Sequence, residues 1–283
     1  MPTSLHFHKL ILVHTIICKN CGNQYHGHFC NNCGQKNVHD RLTTHEVWHD
    51  IVHVFTHADK SIFGFAKQAL LQPGAVAYAY LEGKRKRYFN PIQFFILLTT
   101  VTVFILTVTH LDDKIYAIST SASSSIESKA AVFSKKYMEF MKLLTVKYQA
   151  IFNLLTLPLF AIAMGWLLKQ RKLNFAERYL ICMMAYNQYY ILLTFIIYPL
   201  MFFIPQEWVL AYSSITIVIQ CLCFGITIQQ FTKCSFLEGI TLGIANCIAG
   251  LLLAILVIIV LLILFFIVLI IAIKMGWVNN PFA

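Results

Sequence analysis

The stretch CKNCGNQYHGHFCNNCG, residues 18–34, decides how the N-terminal part of this chain folds. It holds two Cys-x-x-Cys-Gly turns, with eight residues between Cys21 and Cys30. Each turn lets two thiolates point at one ion, and the glycine that follows accepts the tight backbone geometry. Two disulfides are the alternative, which a reducing cytoplasm disfavours. We therefore predict a zinc ribbon over residues 18–36, closed by four ligands that leave no position open for catalysis: Cys18, Cys21, Cys30 and Cys33.

The residues before the ribbon, 1–17, form an N-terminal extension. Their apolar part, 10–17, is interrupted by His14 and is followed by Cys18 and Lys19 rather than by small residues. A cleaved signal peptide needs a small-residue cleavage site after its apolar region. We therefore expect the first membrane span to target the chain.

The composition indicates a membrane protein. Of the 283 residues, 58% are hydrophobic and 12% are charged, against about 25% charged residues in soluble domains. A chain of this length cannot bury so much apolar surface in a water-soluble core. The formal charge of +10 then favours anionic lipid headgroups as partners and disfavours nucleic acid.

Apolar stretches long enough to cross a bilayer occur after residue 91. The last one has 34 residues, or about 51 Å as a helix against a hydrocarbon core of about 30 Å, so it must tilt, protrude or break near Gly250. We predict a mostly α fold with a transmembrane domain at 91–274, an extracytoplasmic loop at about 111–147, and about five spans: 92–110, 148–168, 179–204, 208–231 and 240–273.

The distribution of basic residues predicts the orientation. All five arginines fall on segments that share one side if the N-terminus is cytoplasmic and five spans follow. Because cytoplasmic loops are enriched in Lys and Arg, an N-in, C-out arrangement is favoured. The opposing observation is the loop 111–147, which would lie outside although it carries six lysines against four acids.

Between the ribbon and the first span, residues 41–90 predict amphipathic and juxtamembrane helices. Thr43 and Glu46 match a helix capping box, and the face opposite the apolar one carries histidines four residues apart. We call these histidines the histidine ladder. Three interpretations remain open for it: an ordinary polar face, a pH-responsive surface, or a second transition-metal site. The candidate ligands of such a site are His45, His49, Asp50 and His53.

A basic run immediately precedes the first span. Cations beside an anionic leaflet each gain about 1 kcal/mol, and a tyrosine suits the membrane interface. The run therefore predicts a positive-inside anchor, with specific capture of a lipid headgroup as the sharper alternative. Its candidate headgroup-binding residues are Lys84, Arg85, Lys86, Arg87 and Tyr88.

Several motifs together resemble a known family. They are CxxCG from Cys18, FCxxCGQ at 29–35, Arg41-x-Thr43, and the PG...YLEGKR..Y.P string from Pro73 to Pro91. Over residues 18–100 the chain resembles a bacterial membrane-protein family known only as a domain of unknown function. The resemblance implies a short zinc-ribbon head, a juxtamembrane motif and a variable helical domain in the bacterial inner membrane. It implies no activity.

The predicted spans carry few groups suited to chemistry. Their cores hold no Asp, Glu, Lys or Arg, which disfavours proton-coupled pumping. Asn187 and Gln188 lie near the middle of the third span, either as interhelical hydrogen-bonding groups or as a substrate contact. Gly239 and Gly243 form a GxxxG pair, for which packing within the chain is favoured over self-association. The sequence fixes no oligomeric state.

No catalytic motif occurs in the sequence, so we expect no enzymatic activity. We expect a non-enzymatic integral membrane protein whose cytoplasmic zinc ribbon and histidine-bearing helix bind a cytoplasmic protein partner or respond to metal. The alternative is a transporter or lipid-handling protein in which the ribbon is only structural.

Overall fold

The computed structural model describes residues 15–37, 41–44, 62–111, 113–114 and 148–275. Within them the chain is nearly all helical, apart from a small cysteine-rich module at the N-terminal end. That module has two short antiparallel strands, β1 (Ile16–Ile17) and β2 (Gln24–Tyr25), which pair Ile16 with Tyr25 and Ile17 with Gln24. The first strand thus belongs to the last two residues of the predicted N-terminal extension. The histidine ladder and the loop 115–147 lie outside the described residues.

The described helices follow in chain order, and short 3₁₀ turns occur at Arg85–Arg87, Lys169–Arg171 and Gln206–Trp208. A π turn occurs at Leu193–Ile197. The helices are α1 (Ile62–Leu71), α2 (Pro73–Leu81), α3 (Pro91–Thr109), α4 (Gln149–Leu167), α5 (Phe175–Leu192), α6 (Tyr198–Phe203), α7 (Val209–Thr232) and α8 (Phe236–Lys274).

In the part of the chain that the structure describes, four helical stretches are long and apolar enough to cross a membrane: Arg85–Thr109, Phe175–Phe203, Ser214–Thr232 and Phe236–Phe265. They correspond to four of the five predicted spans. The remaining one, 148–168, forms α4, whose part Ile151–Leu167 is a shorter apolar helix. The predicted fold class, a small cysteine-rich head with a multi-span helical bundle, is confirmed.

Helix α5 lies at the centre of the bundle, and 14 of its 18 residues are buried. The amide of Asn187, about halfway along α5 and its continuation into α6, donates to the carbonyl of Pro91 at 3.1 Å. Farther along, Thr102 of α3 and Thr194 share a buried hydrogen bond of 2.5 Å. Helix α3 therefore begins beside the middle of this long helical stretch, which leaves the first half of α5 to pack against α1 and α2.

Helix α8 is one continuous helix of 39 residues, or about 58 Å long. Of the three predicted alternatives, a break near Gly250 does not occur. Instead, Gly250 gives room for a ring of α4, because an added Cβ would lie 2.6 Å from Cδ1 of Phe160. At Gly243, an added Cβ would lie 2.3 Å from the backbone nitrogen of Gly225 in α7. The small residues at the start of α8 therefore serve a helix contact within the chain.

Candidate metal centre and its junction with the helical bundle

Four thiols of the N-terminal module lie close together. The Sγ atoms of Cys18 and Cys33 are 3.6 Å apart, and those of Cys21 and Cys30 are 3.7 Å apart. All four ligand atoms lie within 4.8 Å of one another. A tetrahedral Zn–S₄ site with bonds of about 2.3 Å has S···S edges of about 3.8 Å, whereas a disulfide bond measures about 2.05 Å. The separations fit four ligands around one ion, and all four cysteines are free thiols.

The two Cys-x-x-Cys-Gly turns have the same backbone geometry. The N–H of Gly22 donates to the carbonyl of Cys18, and the N–H of Gly34 donates to that of Cys30, both at 2.8 Å. The glycines have φ values of +74° and +67°. Because residues with a Cβ rarely adopt this left-handed conformation, glycine lets each turn close and point both thiols to the same side.

The environments of the thiols differ. The backbone N–H of Cys33 and its neighbours lower the pKa of Cys30 to about 6 by stabilising the thiolate. Burial raises the pKa of Cys18 to about 11. Cys18 and Cys30 are both buried, so the difference lies in the backbone N–H groups around Cys30, and a bound cation would favour the thiolate of Cys18.

The residue after the second turn joins the cysteine-rich module to the bundle. Gln35 is 5% exposed. Its Nε2 donates to the carbonyl of Gly83 at 2.7 Å, and its Oε1 accepts from the backbone N–H of Lys86 at 3.1 Å. Gly83 has φ +97°, and an added Cβ would lie 2.7 Å from Cδ of Lys19. The module therefore docks directly on the turn between α2 and α3.

A second contact lies farther along the chain. Arg41 donates from Nε to Glu177 Oε1 at 2.6 Å and from Nη2 to Glu177 Oε2. The hydrogen bond with Glu177 is the main reason that the pKa of Arg41 is raised. Glu177 also forms a capping box with Asn174 at the start of α5, and Asn174 Nδ2 donates to the carbonyl of Leu42 at 2.9 Å. The segment 41–44 is thus fixed to the first turn of α5.

The predicted headgroup-binding residues lie on the same turn as the docking contact. Arg85 stacks over the Tyr80 ring at 5.8 Å, and Arg87 stacks over that of Tyr88 at 5.9 Å. Lys84 forms an exposed ion pair of 3.4 Å with Glu82. Lys86 contributes its backbone N–H to Gln35. Their binding of lipid headgroups stays a prediction.

The two amides predicted as an intramembrane polar site bond to helix ends. Gln188 Nε2 donates to the carbonyl of Leu70 at 2.8 Å, near the end of α1, and Asn187 Nδ2 donates to that of Pro91. The last carbonyls of a helix lack intrahelical partners, and Gln188 satisfies one of these at the end of α1, whereas Asn187 ties α5 to the start of α3. The oxygens Oδ1 of Asn187 and Oε1 of Gln188 are buried and have no hydrogen-bond partner among the described residues. A substrate contact at these amides stays a prediction.

Gln230 of α7 completes the attachment of α1 and α2. Its Oε1 accepts from the N–H of Gly74 at 3.1 Å, and its Nε2 donates to the carbonyl of Leu71 at 3.0 Å. An added Cβ at Gly74 would lie 2.3 Å from the carbonyl oxygen of Thr227. The Pro73-Gly74 motif therefore sits where α2 begins in close contact with α7.

Sequence reasoning missed Glu177 and the role of Gln35. Asn174 and Glu177 match the capping-box spacing, so the pattern could have shown where α5 begins. No local pattern predicts that the same carboxylate pairs with Arg41, 136 residues away. The candidate second metal ligands His45, His49, Asp50 and His53 lie outside the described residues.

The comparisons with known proteins agree with an uncharacterised family. The family described as "Protein of unknown function (DUF3667)" matches residues 59–103. This region contains α1, α2, the Gly83 turn and most of α3, and the cysteine turns lie outside it. No curated protein and no solved structure matches the chain.

Proposed function

We propose that the chain is a non-enzymatic integral membrane protein in which a zinc-bound ribbon and the histidine-bearing helix form a partner-binding or metal-responsive module. One observation carries the proposal: Gln35, which follows the second cysteine turn, holds both Gly83 and Lys86 of the turn that precedes α3. The metal fixes the shape of the cysteine turn, and that shape places Gln35. Loss of the metal would release the turn 83–87 between α2 and α3, called the basic turn below.

The proposal places the ribbon in the cytoplasm of a bacterium and the bundle in the inner membrane. The ribbon end of the bundle carries the basic run 84–87, which Gln35 contacts, and Arg41, which contacts the Lys172 carbonyl and Glu177 beside Arg171 and Arg178. This distribution supports a cytoplasmic ribbon under the positive-inside rule. A reducing compartment also favours metal over disulfides. With α4 as the fifth crossing, the C-terminus is extracytoplasmic in this arrangement.

The partners follow from the same placement. The exposed parts of Lys84 to Tyr88 would meet anionic headgroups, and the outer surface of the ribbon would meet a cytoplasmic protein. His45, His49, Asp50 and His53 are the candidate ligands of a second metal. Such a site would give the module a second response to metal.

A transporter or lipid-handling function is the second candidate. The observation that favours it is the pair of buried amide oxygens, Asn187 Oδ1 and Gln188 Oε1, which have no partner among the described residues. Such groups are costly in a membrane interior and can mark a site for a polar ligand. In this case the ribbon would only stabilise the cytoplasmic face.

Recovery of a cytoplasmic partner separates the two functions. The tagged full-length chain is purified after crosslinking in cells, alongside the variants Cys21→Ser and Asn187→Leu. We expect Cys21→Ser to abolish partner recovery and Asn187→Leu to preserve it, with similar membrane levels of all three proteins. Unchanged recovery by Cys21→Ser together with loss of a transport or lipid phenotype in Asn187→Leu would favour the second function.

A further inference from the structure

A cavity of about 610 Å³ lies at the ribbon end of the bundle, separate from the cysteine cluster. It is bounded by the 3₁₀ turn Lys169–Arg171, the end of α7 and the first turns of α8. Its volume falls within the range of about 300–1,000 Å³ that is typical of small-molecule sites. The lining residues used below are Trp166, Lys169, Arg171, Thr232, Glu238 and Leu242.

The cavity carries charges of both signs. Arg171 Nη2 donates to the carbonyl of Thr232 at 2.9 Å, which holds the guanidinium against the end of α7. A guanidinium has five N–H donors, so this bond leaves most of its fork available. Glu238 lines the cavity from the first turn of α8. Among the described residues, no ion pair joins Glu238 to Lys169 or Arg171.

The remaining lining is apolar and suits a membrane interface. Trp166 is 64% exposed near the end of α4, and tryptophan is enriched where headgroups meet acyl chains. Leu242 lies one turn beyond Glu238 on α8 and adds apolar surface. The cavity therefore offers a cationic part, an anionic part and an apolar side at the ends of candidate membrane-spanning helices.

We propose that this cavity binds a phospholipid whose headgroup carries both a phosphate and a primary ammonium, as in phosphatidylethanolamine. The phosphate lies at Lys169 and Arg171, because an Arg fork matches phosphate oxygens in geometry and charge. The ammonium lies at Glu238, and the acyl chains run past Trp166 and Leu242. A surface that only attracted anionic lipids would gain no affinity from the Glu238 carboxylate.

Glu238 has a simpler role that the test must separate from lipid binding. A carboxylate in the first turn stabilises a helix through the helix dipole, and the N–H of Glu238 donates to Ser235 Oγ at 3.3 Å. That role affects the stability of α8 but does not discriminate between lipids. The preference for one headgroup over another is therefore the decisive quantity.

The test measures lipid retention by native mass spectrometry on the detergent-purified full chain. Phosphatidylethanolamine and phosphatidylglycerol with identical acyl chains are titrated separately. We expect wild type to prefer phosphatidylethanolamine, and Arg171→Gln to weaken both lipids about tenfold or more, because it removes a charged hydrogen-bond donor. Glu238→Gln should abolish the preference by weakening phosphatidylethanolamine alone. The matched controls, Lys172→Gln and Glu207→Gln, change exposed charges outside the cavity lining and should retain the wild-type preference.

Three results would overturn the proposal. The first is equal retention of the two lipids by wild type. The second is an unchanged preference in Glu238→Gln while circular dichroism shows a folded protein. The third is displacement of the lipid by glycerophosphoethanolamine or inorganic phosphate at concentrations equal to that of the lipid, which would assign the cavity to a soluble phosphate compound. Lipid binding at this cavity does not depend on the metal centre. Failure of the lipid proposal therefore leaves the proposed function testable, and failure of the proposed function leaves the lipid proposal testable.

Discussion

Replacing Gln35 by alanine should loosen the contact between the cysteine-rich module and the bundle without changing the metal ligands. The substitution removes two hydrogen bonds, to the carbonyl of Gly83 and from the N–H of Lys86. Each contributes about 1 kcal/mol net, so the docking contact loses about 2 kcal/mol. Since about 1.4 kcal/mol corresponds to a factor of ten, the open state becomes about 30-fold more populated.

The readout is amide hydrogen exchange of the peptide that contains Lys86, measured by mass spectrometry on detergent-purified protein. Protection of this amide reports local opening. We expect exchange at Lys86 to accelerate between about fivefold, if one bond matters, and about 30-fold, if both do. Gln24→Ala is the matched control, because Gln24 is an exposed glutamine of the same module. Unchanged exchange at Lys86 in Gln35→Ala would refute the docking role of Gln35.

Three further predictions concern the bundle and the second metal. Glu177→Gln should lower the free energy of unfolding by about 1–3 kcal/mol, because the nearly buried carboxylate loses its charge beside Arg41. The control Glu82→Gln, in an exposed ion pair, should stay within about 1 kcal/mol of wild type in thermal denaturation. Equal effects of the two variants would contradict a stabilising role for the contact between Arg41 and Glu177. Gly243→Ala should destabilise the protein by about 1–3 kcal/mol, because the added Cβ would meet the backbone of α7. Gly250→Ala should destabilise it less, because there the added Cβ meets the Phe160 ring, which can shift. The reverse order in thermal unfolding would contradict this packing. If the histidine helix binds metal, the double variant His45→Ala, His49→Ala should fall from two metals per chain to one in elemental analysis; one metal in both proteins would make the histidines an ordinary polar face.

The sequence was sufficient for features that depend on local spacing. The Cys-x-x-Cys-Gly turns predicted the cysteine cluster because ligand geometry follows from a few neighbouring residues. Apolar length predicted the spans because bilayer thickness sets the length of a helix. At the predicted span 148–168, however, the structure has the shorter apolar helix α4.

Features that depend on distant partners were not predictable. Gln35 and Lys86 are 51 residues apart, and nothing in either segment indicates that they meet. Gly250 shows the same limit: a glycine in a long apolar run suggests a break, but here its role is to admit Phe160 from another helix. The amides Asn187 and Gln188 were recognised as polar groups, but their partners at the start of α3 and near the end of α1 could not be named from sequence.

The most direct test of the central claim is the exchange of the Lys86 amide in metal-loaded and metal-stripped protein. If the metal fixes the second cysteine turn and thereby places Gln35, removal with a strong zinc chelator should accelerate this exchange, and zinc should restore the protection. Identical exchange in the two forms, with removal verified by elemental analysis, would contradict the coupling between the metal centre and the basic turn.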